Sequence, residues 1–248
     1  MRLRVRFPLA LPKFENVAMN ITNPYSMELM VAHASKVSEK VQLLVSNGRQ
    51  HVTNTHRDTL ALAYWTILFE YHNGILTLVR TGNPTSAFAL LRVFEEAFLK
   101  LFLVMCGTDK QVQAIWEGTY NTDFAAVGAQ IDEKLGKEPL FGPKLKGQVK
   151  TLHGFTHSGF EQLVRQLTRL PDGSSDIAPN YTDKDVRQLV QETMPIIFLA
   201  GAFLTEFLNY PDENKAVVAM FNDYLETQVM SLKLDEMVQT AGTLAQKL

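Results

Sequence analysis

Residues 87–105 read AFALLRVFEEAFLKLFLVM, and this stretch decides the fold. It is apolar nearly all round rather than along one stripe, so a helix formed here has to be surrounded by other helices. Its ends are marked: Asn83 is placed to cap, and Pro84 sits at the first helical position, where its missing N–H costs nothing. Gly107 follows the last turn. A central helix of this kind implies a bundle around it.

Working outward, apolar residues at helical spacing predict a helix over 26–46, closed by Asn47-Gly48, and another over 55–80, closed by Thr81-Gly82. Shorter helices are expected over 109–120 and 123–135, and a longer one over 143–169. LPDGSSDIAPN then reads as a loop by composition. Thr182 is placed to cap a helix reaching about residue 209, with Asp183 and Asp185 in its first turn and a bend expected at Pro195. A last helix is expected over 211–229. No period-two pattern exceeds four residues, and there is neither an internal repeat nor a linker. The expected architecture is all-α, a single bundle of six to eight helices.

Hydrophobic residues make up 46% of the chain, enough for a sizeable core. Charged residues are only 20%, which predicts helical surface buried in neighbouring helices or in a partner subunit, and a homo-oligomer is expected. The net charge of -2 recruits neither nucleic acid nor an acidic membrane, so no strong DNA-binding signal is present. The single cysteine, Cys106, excludes an internal disulfide and a cysteine-based zinc cluster, and suits a reducing cytoplasm. It is expected to be a buried small hydrophobe near a helix end. Residues 1–12, MRLRVRFPLALP, are too broken by proline for a secretory signal. Residues 1–22 are expected to be a flexible leader, with Met19 or Met27 as a plausible start, and 23–248 the bundle. The most apolar later run, 195–204, is too short to span a membrane.

Arg92, Glu95 and Glu96 interrupt the central helix. Charges among Leu91, Phe94 and Phe98 are costly unless paired, so they form a register-fixing internal pair, the lining of a polar cavity, or a solvated seam at the helix edge. A second polar stretch carries His153, Thr156, His157 and Gln162. His153 and His157 have the spacing that lets two imidazoles share a metal, but a third ligand is not evident, and neither a metal nor another cofactor is expected. The reading preferred for Thr156 and His157 is hydrogen bonding to the central-helix charges. His33 and His72 read as satisfied packing residues. The group Arg49, His51, His56 and Arg57 reads as surface loop, and Lys144, Lys146 and Lys150 as a solvated helix end. Phosphate-binding glycine loops and a nucleophile elbow are absent.

Taken together, RVFEEAFLKLFLVM (92–105), LHGFTHSGFEQLVRQ (152–166) and APNYTDKDV (178–186) resemble an uncharacterised family of bacterial helical proteins. That family pairs an Arg and a Glu on a central helix with a Thr-His-x-Gly segment and an Asn-Tyr helix entry. The resemblance implies a cytosolic bacterial protein of unassigned activity. A more distant resemblance is to the HEPN bundles, which include metal-independent ribonucleases of defence systems. Their Arg-to-His spacing on one helix is not found after Arg92, so that activity does not carry over by motif. The expected function is a ligand-sensing or interaction protein in stress or phage defence. One alternative is a HEPN-like hydrolase acting on RNA or a nucleotide, with Arg92 on phosphate, His157 as general acid–base and Glu96 orienting it. Another is a metal-dependent hydrolase using His153 and His157. Glu95, His153, Thr156 and Gln162 are the expected ligand contacts.

Overall fold

The computed structural model describes residues 27–48, 55–136, 141–145, 147, 165–169, 175–177 and 180–227. The helices are α1 (Met27–Gly48), α2 (His56–Arg80), α3 (Pro84–Cys106), α4 (Asp109–Trp116), α5 (Phe124–Leu135), α6 (Asp183–Phe207) and α7 (211–227), with a further helical turn at 141–145. The fold is all-α. Two three-residue strands, β1 (Leu167–Arg169) and β2 (Ser175–Ile177), pair antiparallel with Leu167 opposite Ile177. This corrects two expectations. The helix predicted to run through Arg169 has given way to a turn by Arg165, and the glycine-containing loop is closed by a short ladder. Three-residue strands fall below the length at which alternation is readable.

α2 and α3 pack most extensively, as an antiparallel pair joined by a tight turn, and α6 lies across α1, α2 and α3. The α2 end follows from Gly82, whose positive φ of 73° lets Asn83 N–H reach Leu78 C=O (2.8 Å) and Gly82 N–H reach Val79 C=O (3.1 Å). These are the two bonds that close a helix through a left-handed residue. Asn83 occupies the cap position of α3 but makes no side-chain cap bond there. Its amide instead donates to Thr81. Thr182 caps as expected, in a reciprocal box with Asp185, and Thr55 with Asp58 and Thr108 with Gln111 form the same box.

Trp65, Phe94, Phe98, Phe102 and Phe198 are the largest fully buried side chains, and they fill the space between α2, α3 and α6. Gly201 sets how closely α1 and α6 cross, since a Cβ there would lie 2.7 Å from Val41 Cγ1. α6 contains Pro195 and continues through it. By length and composition α6 is long and apolar enough to cross a membrane, beyond the ten-residue run expected, yet 78% of that window is buried inside the protein. It is the second core helix of the bundle. The expected leader, 1–22, lies outside the described residues.

A buried carboxyl on the central helix

α3 buries Phe94, Glu95, Ala97 and Phe98 around its middle and leaves only a narrow, partly exposed edge at Arg92, Glu96 and Lys100. The three charged residues resolve differently. Glu96 sits at the helix edge and pairs with Lys100 one turn on, at 2.8 Å. The guanidinium of Arg92 lies 5.2 Å above the ring of Phe124, on α5. Glu95 is 1% exposed, and neither of its carboxylate oxygens has a hydrogen-bond partner among the described residues.

Burial pushes the Glu95 carboxyl up to about 7. Lys144 and Arg92 pull it down and Glu192 pushes it up, but desolvation outweighs them. Burial thus favours the protonated form of Glu95 well above the usual carboxylate range.

Lys144 reaches this neighbourhood by a chain of local causes. Gly128 and Gly142 bring α5 against the turn at 141–145: a Cβ on Gly128 would lie 2.9 Å from Gly142 Cα. Asp132, buried on α5, then accepts from the backbone N–H groups of Phe141 and Gly142, both at 2.9 Å. One carboxylate thus satisfies two orphan donors at the start of the helical turn that carries Lys144. Lys144, partly exposed on that turn, acts on the buried carboxyl through its charge.

The remaining candidates divide plainly. His153, Thr156, His157 and Gln162 lie outside the described residues, as do Arg49, His51, Lys146 and Lys150. The Asn-Tyr entry has a packing role. Tyr181 stacks on Phe88 of α3 at 5.0 Å, the Arg165 guanidinium covers the Tyr181 ring at 5.5 Å, and Arg165 pairs with Asp185 at 3.2 Å. These contacts pin the strand-bearing segment to the starts of α3 and α6. Arg57 pairs with Asp109 and donates to Gly107 C=O, closing α2 onto the start of α4.

Two expectations about single residues are corrected. His72 is fully buried against Phe94, as a packing residue, but among the described residues neither ring nitrogen has the partner that was expected. Burial lowers its pKa to about 3, which keeps it neutral. Cys106 is exposed, because α3 ends there and its last residue faces a cleft rather than the core.

Among the described residues, no group of three His, Cys, Asp or Glu is placed to hold a metal ion. Sequence reasoning missed Asp132 and Glu192 as members of the site. Asp132 carries no local signal, since its partners lie nine and ten residues on and no periodicity links them.

Residues 65–228 match a family of unknown function (DUF6988), and the chain belongs to that family. No curated protein and no solved structure matches it.

Proposed function

We propose that this family member is a ligand-sensing helical bundle whose sensor is the Glu95 carboxyl. Membership of the family leaves the activity open, so the reading rests on one observation. A carboxyl with both oxygens unsatisfied among the described residues is held at a pKa of about 7 on a core helix. Such a group costs stability unless something repays it. A ligand donating a hydrogen bond to Glu95 repays it, and takes or gives a proton as it binds. Arg92, Lys144 and Glu192 surround the carboxyl with charge of both signs, which suits a polar ligand. The polar stretch holding His153, Thr156, His157 and Gln162 begins a few residues after Lys144 and would supply further contacts. The low charge content and exposed Leu29, Leu43 and Trp116 support a homo-oligomer. The distant resemblance to HEPN bundles supports a place in bacterial cytosolic stress or phage defence.

The test is a thermal-shift screen of polar metabolites and nucleotides at pH 6 and pH 8, on the wild-type chain and on Glu95→Gln. A compound that stabilises the wild type, changes potency between the two pH values and fails on the variant supports the reading. Equal shifts for both proteins, or none at all, would remove it.

A second reading, hydrolysis of RNA or a nucleotide, is favoured by the same pKa, since a general base works best near the operating pH. Glu95 then accepts the proton, Arg92 holds phosphate, and His157 is the candidate acid. Release of product from single-stranded RNA or nucleoside triphosphates, lost in both Glu95→Gln and Arg92→Ala, is the expected result.

A further inference from the structure

A cleft of about 600 Å³ opens at the C-terminal end of α3, away from Glu95. Its volume lies within the range of small-molecule sites, roughly 300–1,000 Å³. Three helices end on it: α3 contributes Met105 and Cys106, α5 contributes Lys134, and α6 contributes Phe203, Thr205, Glu206 and Phe207. Each helix C-terminus carries roughly half a negative charge in its last turn. Neither α3 nor α6 has a basic residue there to offset it.

The wall also holds one incompletely matched group. Glu206 meets Lys134 at 3.6 Å through Oε1, a loose contact between partly exposed side chains. Its Oε2 is buried and has no hydrogen-bond partner among the described residues. The neighbouring polar side chain of Asn214 is already used, donating to Ala202 C=O at 2.7 Å and to Thr205 Oγ1 at 3.1 Å. Neither lysine of the lining donates to Oε2, since Lys134 meets Oε1 and Lys215 pairs with Asp212 at 3.6 Å, and much of the remaining wall is apolar: Met105, Phe203 and Phe207.

We infer that this cleft binds a small molecule with a primary ammonium on an apolar body, the ammonium donating to Oε2 of Glu206 and the body resting on Met105, Phe203 and Phe207. Lys134 is the resident cation that such a ligand displaces. The start of α7, at Pro211, borders the same cleft and presents the positive end of a helix. A carboxylate on the same ligand would be welcome there, so both simple amines and apolar amino acids carry the required chemistry.

The experiment is isothermal titration of the full chain with phenethylamine, L-phenylalanine and N-acetyl-L-phenylalanine. At least one of the two amines binds, and the acetylated compound, which has lost its cation, does not. Preference for phenylalanine assigns the carboxylate to the α7 end, and preference for phenethylamine leaves that end unused. Glu206→Gln, near in shape, weakens binding roughly tenfold or more, as expected for a lost charged hydrogen bond. Lys134→Gln tightens it, because the competing cation is gone. A merely structural ion pair would not produce that gain. No heat from either amine at millimolar concentration overturns the inference. So does equal binding of the acetylated compound, or unchanged affinity in Glu206→Gln.

Discussion

Glu95 and Met105 stand ten residues apart on α3, roughly 15 Å along its axis, and the helix treats polar groups differently at the two places. At its middle, α3 is enclosed by α2, α5 and α6, and a carboxyl there has lost its water without gaining hydrogen bonds among the described residues. At its end the helix meets a cleft, where Glu206 and Lys134 keep a share of solvent and Cys106 is exposed. The same residue type, a glutamate, is held near neutral pKa at the first place, while at the second it sits in a loose ion pair. Desolvation, more than the count of neighbouring charges, separates them.

The largest expected effect breaks the comparison at its buried end. Raising the Glu95 pKa from 4.5 to about 7 means the folded state holds its proton more tightly than the unfolded state. The associated stability is fully present below pH 4.5 and is lost as pH rises through 7. Glu95→Gln should therefore be more stable than wild type at pH 8 by roughly 3 kcal/mol, the advantage shrinking towards pH 4.5. Urea unfolding at both pH values checks this. A pH-independent difference would show that Glu95 stays charged when folded.

Next in size is Asp132→Ala. It leaves the N–H groups of Phe141 and Gly142 without their partner, at a cost of roughly 2–4 kcal/mol. It should also raise the Glu95 pKa further, because Lys144 loses its placement. The ¹³C shift of the Glu95 carboxyl reports that change separately from stability.

His72 supplies an opposite slope within the same region. Its pKa falls from 6.5 to about 3 on folding, so its contribution is present above pH 6.5 and is lost as pH falls towards 3. Between pH 4.5 and 6.5 the slopes of His72 and Glu95 oppose each other, and the wild type should be nearly flat there. His72→Leu should unmask a loss of stability with rising pH, up to about 1.4 kcal/mol per unit. The smallest effect is expected at the cleft, where Cys106→Ser should change stability by no more than about 0.5 kcal/mol. A large loss would mean that the cleft is closed by packing in solution.

The bundle was legible because helices announce themselves locally. The all-round apolar run of α3, the Pro84 start, the Gly82 stop and the Thr182 box each act within one or two turns. The short ladder and the early end of the predicted 143–169 helix were not legible, since the paired residues lie six to ten positions apart and each strand is only three residues long. For the site, the cost of placing charge among Phe94, Phe98 and Phe102 was enough to single out Arg92, Glu95 and Glu96. It could not say which glutamate faces inward. Adjacent residues point about 100° apart, and the packing of α2, α5 and α6 chose Glu95 for the interior and left Glu96 to Lys100.

Chain chemistry alone thus settled the helix content, the central place of α3 and the cost of its charges, because these depend on neighbours three or four positions away. Packing settled the protonation of Glu95, the capture of the Lys144 turn by Asp132 and the meeting of three helix ends at Glu206. Burial and electrostatics depend on what lies across the bundle, and the sequence records that only after the helices have been assembled.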